Sequence, residues 1–180
     1  MAPNPIEYMN VYLRGGGFGD HMLKIKEEVI VEVPSQNVYY FLTHIDELYK
    51  IWHPKHHVFC KTIYKNLTET GCVFHFLEII GGVPLYLVVK VSLIKNNQYI
   101  EYKPIFPVSI FNLGAGYFDI EAISENKTKL TAVVEFGDRF GLLEKICQVF
   151  LKTPTLRQHL KEEGVYLKRY LENPIAQNCL

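Results

Sequence analysis

Two residues four positions apart, His159 and Glu163, carry the clearest chemical signal in the sequence. Thr153 followed by Pro154 reads as an N-cap and a first helical position, because proline lacks only an N–H that would be unpaired there anyway. With successive residues ~100° apart around that helix, Val149, Leu156, Leu160, Leu167 and Leu171 share one side. Glu163 falls on that same side, where another aliphatic residue is expected, and His159 projects from the edge of the stripe. A buried carboxylate is costly unless a cation or a metal pairs with it. An imidazole and a carboxylate at i and i+4 can reach one ion from a single helix face. A plain His–Glu hydrogen bond uses the same spacing, so the pair alone leaves both readings open.

Two other stretches hold matching donors. Tyr49 to His57 reads YKIWHPKHH, with three histidines within five positions and Pro54 fixing the chain direction after His53. It is either an exposed polar turn or the source of one metal ligand. Glu78, in CVFHFLEIIGG, points by strand alternation to the same face as Phe74 and Phe76, whereas His75 shares the other face with Val73 and Leu77. It is either an edge residue beside the Gly81–Gly82 turn or a group aimed into the interior. Together His53, Glu78, His159 and Glu163 form a set of two imidazoles and two carboxylates, donors that suit Zn²⁺ first and Fe²⁺ or Mn²⁺ after it.

The elements that must position these groups follow from periodicity. Leu23 to Val33 alternates as a long half-buried strand ended by Pro34–Ser35, which opens a helix. Val38, Phe41, Leu42, Ile45, Leu48 and Trp52 recur at helical spacing through two short helices, broken near Thr43 to Asp46 and ended by Pro54. Strands then run over His57 to Tyr64, Val73 to Ile80, Pro84 to Ile94, Tyr99 to Tyr102, Phe111 to Ile123 and Leu130 to Phe136. Gly71, Gly81–Gly82, Asn96–Asn97 and Asn126 mark the turns. Gly141 to about Leu171 reads as a helix with a break or kink at Pro154. The order predicts an α+β fold, a curved antiparallel sheet of about seven strands wrapped around a long C-terminal helix. An apolar cavity between the two is expected.

Composition bounds the rest. At 180 residues with 48% apolar and 13% aromatic content, one domain with a sizeable core is expected. We divide the chain into a leader (1–21), a single domain (22–173) and a tail (174–180). The leader ends in GGGFGD and fits no amphipathic period; it reads as a vector-derived remnant or as an arm folding over the domain. Nineteen basic against nineteen acidic residues leave no global field for nucleic acid or an anionic membrane. Cys60, Cys72, Cys147 and Cys179 lack CxxC spacing and suit reduced thiols better than a disulfide frame. No apolar run reaches the ~18 residues of a membrane span. A cytoplasmic protein is expected, with an apolar or aromatic small molecule as its partner and a homodimer admitted.

The order of elements from Leu23 to Leu171 resembles the helix-grip fold of the START and birch-pollen-allergen superfamily (SRPBCC), whose members hold apolar small molecules, lipids or polyketides in the cavity. Within it, the chain is similar to the diacetylphloroglucinol hydrolase family. The matching residues are Trp52–His53–Pro54 with His56 and His57, Glu78 before Gly81–Gly82, and the HxxxE of His159 and Glu163. The resemblance implies a zinc ion, with His53 favoured over His56 and His57 as the ligand from the first segment. It also implies metal-assisted hydrolysis of a carbon–carbon bond in an acylated phenol. The metal would polarise the acyl carbonyl or lower the pKa of water to about 7. The expelled ring carbon must be protonated as it leaves, with His56, His57 or Tyr117 expected to assist. Two other readings stand beside this one: a non-catalytic carrier of an apolar small molecule or lipid, and a metal-free polyketide cyclase or dehydratase using His and Glu as acid and base.

Overall fold

The computed structural model describes residues 23–106, 113–136 and 154–173. In chain order these form β1 (Leu23–Val31), α1 (Ser35–Thr43), α2 (Ile45–Trp52), β2 (His57–Tyr64), β3 (Val73–Ile80), β4 (Val83–Lys95), β5 (Tyr99–Phe106), β6 (Leu113–Ser124), β7 (Lys127–Phe136) and α3 (Pro154–Leu171). The leader, the tail and the helical stretch expected from Gly141 to Thr153 lie outside the described residues.

All the strands join one antiparallel sheet in the order β1-β7-β6-β5-β4-β3-β2. The chain therefore leaves one edge of the sheet after β1, crosses through α1 and α2 to the far edge, and returns strand by strand until β7 pairs with β1. Tight turns make the return possible. Gly81 and Gly82 both take positive φ, 59° and 82°, the requirement of a two-residue hairpin that keeps the right-handed strand twist. β5 runs past its expected end at Tyr102 because Val89 and Val88 still pair with Pro104 and Phe106, while its register with β6 covers only Tyr99 to Tyr102. Proline lacks a ladder N–H, so it suits a segment paired on one side alone.

The short helices earn their burial from one face each. Ile45, Tyr49 and Trp52 recur at i, i+4 and i+7 and are the buried residues of α2. Thr43 ends α1 by bonding back to the carbonyls of Tyr39 and Tyr40 at 2.9 and 3.1 Å. The core runs from Val31, Val33, Val38 and Phe41 through Val89 and Val91 to Leu167 and Leu171 on α3. Polar ties hold α3 along β1: Arg157 Nε donates to Glu27 at 2.6 Å, and Lys168 Nζ donates to the Ile30 carbonyl at 2.7 Å. Glu172 accepts the Glu32 N–H at 2.8 Å. Cys60 and Cys72 are free and buried, and burial pushes both thiols up, Cys72 to about 11. No described helix is long and apolar enough to cross a membrane.

Candidate functional site

A cavity of about 140 Å³ lies between α3 and the sheet. Its walls are mainly apolar: Leu42 and Ile45 from the short helices, Phe74, Phe76, Leu87, Val89 and Val91 from β3 and β4, Ile100 and Tyr102 from β5, Phe118 from β6, and Leu156 and Leu160 from α3. Glu78, His159 and Glu163 also line it, so polar chemistry is concentrated in one part of a greasy hollow.

Those three residues meet a fourth, His57. Donor atoms of His57, Glu78, His159 and Glu163 all lie within 4.8 Å of one another. His57 Nε2 stands 2.8 Å from Glu163 Oε1 and 3.6 Å from Glu78 Oε2. His159 Nε2 stands 3.4 Å from Glu163 Oε1 and 3.5 Å from Glu78 Oε2. A tetrahedron with metal–ligand bonds of about 2.0–2.1 Å has edges of about 3.3–3.4 Å, so these separations bracket such a polyhedron. His57 and His159 are each 3% exposed and the two glutamates 9%.

Each of the four is aimed by its own element. Glu78 extends the inward row of Phe74 and Phe76 on β3. His57 is the first residue of β2 and pairs directly with Glu78 across the strands, because a register shift between His57 and Phe59 moves it onto that partner. His159 and Glu163 share the buried side of α3, and Trp52 Nε1 donates to the Glu163 carbonyl at 3.2 Å. Neighbouring groups complete the orientation. His57 Nδ1 donates to the Tyr49 carbonyl at 2.9 Å, and the Tyr49 ring stacks on the imidazole with centroids 3.9 Å apart. The Tyr49 hydroxyl donates to Glu78 Oε2 at 3.3 Å.

Proton accounting shows what the cluster lacks. With Nδ1–H committed to a carbonyl, a neutral His57 turns an Nε2 lone pair toward the Glu163 carboxylate, and two acceptors then face each other. His159 Nε2 is buried without a hydrogen bond of good geometry. Two facing carboxylates and two inward ring nitrogens are balanced by protonating the imidazoles or by one divalent cation. Without an ion, burial works against a charged His159, but Glu163 and Glu78 outweigh it and raise the ring to about 10. Burial likewise opposes a charged Glu163, and His159 and His57 reverse it, holding the carboxyl well below the usual range. Burial, together with Glu78 and Glu163, pushes the Tyr49 phenol well up; the same causes, with Glu163 ahead of Glu78, raise Tyr102, so both stay protonated hydrogen-bond donors.

Three of the four residues expected as donors, Glu78, His159 and Glu163, lie together, and the histidine beside them is His57 rather than His53. His53 does not face the two carboxylates of the cluster. It ends α2 and is fully buried, and its Nε2 lies 3.2 Å from Glu162 Oε2. The turn that follows, with the His56 and His57 N–H groups directed to the His53 carbonyl at 3.1 and 2.9 Å, swings the chain so that His57 arrives where His53 was expected. His56 is half-buried, its Nδ1 3.2 Å from His159 Nδ1. Tyr117 is also placed otherwise. Gly116 and Phe118 line the cavity, so strand alternation turns Tyr117 to the other face, where its ring packs against Tyr99 at 5.5 Å. Tyr49 and Tyr102 are the phenols near the cluster instead. Tyr49 carried a signal as the middle residue of the Ile45–Tyr49–Trp52 stripe; Tyr102 had no distinguishing signal among twelve tyrosines.

No protein-family model matches this chain, and no curated protein matches it in sequence. Solved structures do match its fold. The Zhui aromatase/cyclase of a Streptomyces species aligns with a TM-score of 0.69 at 14% identity, over 86% of this chain and 96% of that one. The major latex-like protein of Panax ginseng aligns at 0.68 and 8% identity over 84% and 99% of the two chains. A START superfamily protein from Mycobacterium smegmatis aligns at 0.63 and 12% identity over 83% and 97%. Together with the seven-stranded sheet, the paired short helices and the C-terminal helix, these alignments show that the chain has the helix-grip fold of START and birch-pollen-allergen proteins.

Proposed function

We propose that this protein binds an apolar small molecule about the size of one aromatic ring and acts on it with a cluster, His57, Glu78, His159 and Glu163, that holds a divalent metal ion, zinc before iron or manganese. The observation that carries the reading is the convergence of these four buried donors within 4.8 Å. Two imidazoles with two carboxylates form a set that neutralises a dication. The hydrogen bond from His57 Nδ1 to a carbonyl is the outer-shell support typical of a ligating histidine. The cavity volume is comparable to that known to take up benzene in an apolar protein interior.

A zinc ion at such a place supplies Lewis acidity toward a carbonyl and toward water. The reaction that the motif resemblance supports is hydrolysis of an acylated phenol: a bond forms between water oxygen and the acyl carbon, the acyl–ring bond breaks, and the ring carbon takes up a proton. Tyr102, held protonated, would donate a hydrogen bond to a phenolic oxygen of the ligand, and the Tyr49 hydroxyl, which donates to Glu78, would accept one from a ligand phenol. The apolar walls would exclude bulk water and hold the ring flat. Of the expected acid–base trio, His57 joins the four donors, and His56 stands beside His159 outside the cavity lining, its Nδ1 3.2 Å from His159 Nδ1.

A second reading has its own support. The Zhui protein is described as an aromatase/cyclase, so the shared fold favours ring-closing or dehydrating chemistry, or binding alone, over hydrolysis. There the His159–Glu163 and His57–Glu78 contacts would serve as metal-free acid–base pairs. Elemental analysis after gentle purification separates the two. The metal reading expects about one equivalent of zinc, lost in Glu163→Gln with the circular dichroism unchanged, and turnover of an acyl-phenol that stops with chelator and returns with Zn²⁺. Metal-free protein that turns over a ring-closing substrate at full rate would establish the second reading instead.

A further inference from the structure

The two histidines of the YKIWHPKHH segment that stay outside the four-donor cluster both stand against one of its members. His56 Nδ1 lies 3.2 Å from His159 Nδ1. The two rings are 21° from parallel with centroids 5.4 Å apart, a separation larger than the nitrogen–nitrogen distance by about the sum of the ring radii. They therefore meet edge to edge in nearly one plane, the arrangement in which a lone pair of one ring faces an N–H of the other. His53 lies flat across both, its centroid 4.3 Å from that of His56 and 4.9 Å from that of His159, at interplanar angles of 19° and 13°. It is fully buried and anchored through Nε2, 3.2 Å from Glu162 Oε2.

We propose that His56 is a positioning residue for His159: its Nδ1 accepts the His159 Nδ1–H and so keeps His159 Nε2 free for the ion. Hydrogen placement carries the assignment. His159 Nε2 is the nitrogen that faces the carboxylates, 3.4 Å from Glu163 Oε1 and 3.5 Å from Glu78 Oε2. A neutral imidazole with its lone pair at Nε2 carries its hydrogen on Nδ1, where it needs an acceptor. His56 Nδ1 is in place to be that acceptor, which leaves the His56 hydrogen on Nε2. The opposite placement, with His56 donating to His159 Nδ1, would put an N–H where the ion must bind. His57 is oriented in the same way, its Nδ1–H held by the Tyr49 carbonyl at 2.9 Å. Both ligating rings thus have their outer nitrogen committed, the support that fixes tautomer and ring angle in metal sites. His53, packed on the faces of the His56–His159 pair, opposes rotation of either ring out of the shared plane.

This role rests on the metal reading of the four donors, and the test tells the two apart. Zn²⁺ affinity is measured by competition with a chromophoric chelator for wild type, His56→Leu, His56→Asn and Glu163→Gln. His56→Leu should weaken Zn²⁺ by roughly 10–100-fold. His56→Asn should recover most of that loss, because its Oδ1 can take the place of Nδ1 as an acceptor. In isotope-labelled, zinc-loaded wild type, nuclear magnetic resonance should place the hydrogen on His159 Nδ1 and show a nitrogen–nitrogen coupling across the bond to His56 Nδ1. Should His56→Leu fail to fold, the coupling and the His56→Asn affinity decide. Zn²⁺ that Glu163→Gln loses but His56→Leu binds as tightly as wild type overturns the positioning role and leaves the four-donor site standing. An equal loss in His56→Leu and His56→Asn, or a hydrogen found on His56 Nδ1, also overturns it. No Zn²⁺ bound by wild type overturns the four-donor site and the role of His56 with it.

Discussion

His57 Nε2 and Glu163 Oε1 stand 2.8 Å apart across 106 positions of chain. That contact ties the start of β2 to the middle of α3 and makes His57 the histidine of its segment that faces both carboxylates. His57→Ala is therefore expected to lose the ion, whereas His53→Ala keeps a Glu163-dependent ion. Equilibrium dialysis against Zn²⁺ followed by elemental analysis distinguishes the two variants. Retention of that ion in His57→Ala with loss in His53→Ala would restore the assignment favoured by the sequence.

Protonation of the cluster sets how metal-free stability depends on pH. His159 is raised from 6.5 to about 10 in the fold, so its contribution is complete below about pH 6.5 and is lost as pH climbs toward 10. Glu163 is lowered from 4.5 to about 2, so its contribution is complete above about pH 4.5 and is lost as pH falls toward 2. Metal-free protein should be most stable between those limits, with Tm falling from pH 6.5 to 9. Bound zinc needs neutral imidazoles, so the increase in Tm that it gives should grow over the same range. Thermal unfolding at several pH values, with chelator and with Zn²⁺, reads both slopes; a metal-free Tm that is flat or rising above pH 6.5 contradicts the ion pairing.

Tyr49→Phe removes the hydroxyl that donates to Glu78 at 3.3 Å inside a buried site. It should cost about 1–3 kcal/mol in denaturant unfolding and lower turnover of a phenolic substrate. Tyr117→Phe is expected within about 0.5 kcal/mol of wild type with turnover unchanged, because that ring packs on Tyr99 away from the cavity. Equal effects of the two variants on turnover would count against the assignment of Tyr49.

Gly116 makes room for a neighbour. A Cβ there would overlap the Tyr102 ring and lie 2.6 Å from its hydroxyl oxygen. Gly116→Ala should push that ring into the cavity, destabilise the fold by about 1–3 kcal/mol and weaken uptake of a one-ring apolar probe such as toluene, read by the rise in Tm that the probe gives. Unchanged probe affinity would show that Tyr102 yields in another direction.

The fold was largely legible because the strands alternate and the β2–β3, β3–β4, β4–β5 and β6–β7 turns are marked by Gly or Asn, while α1 and α2 keep a helical stripe. Glu78, His159 and Glu163 were legible for one reason: each interrupts an apolar row with a group that burial penalises. The choice among His53, His56 and His57 was not. The hairpin register Cys60↔Phe76 and Lys61↔His75, continued without interruption, brings Val58 to Glu78; the irregularity between His57 and Phe59 substitutes His57. That shift depends on how the turn after α2 meets β3, which no local pattern encodes. Tyr117 misled because neither Tyr117 nor Phe118 interrupts an apolar row, leaving the inward face of β6 to be decided by packing against Tyr102.

The most direct measurement is an anomalous difference map from crystals of zinc-loaded protein, with data collected on either side of the zinc absorption edge. One strong peak should lie within bonding distance, about 2.0–2.2 Å, of His57 Nε2, His159 Nε2 and a carboxylate oxygen of both Glu78 and Glu163. No peak among these atoms, with the two imidazoles hydrogen-bonded directly to the carboxylates, would contradict the metal centre and leave a metal-free cavity protein.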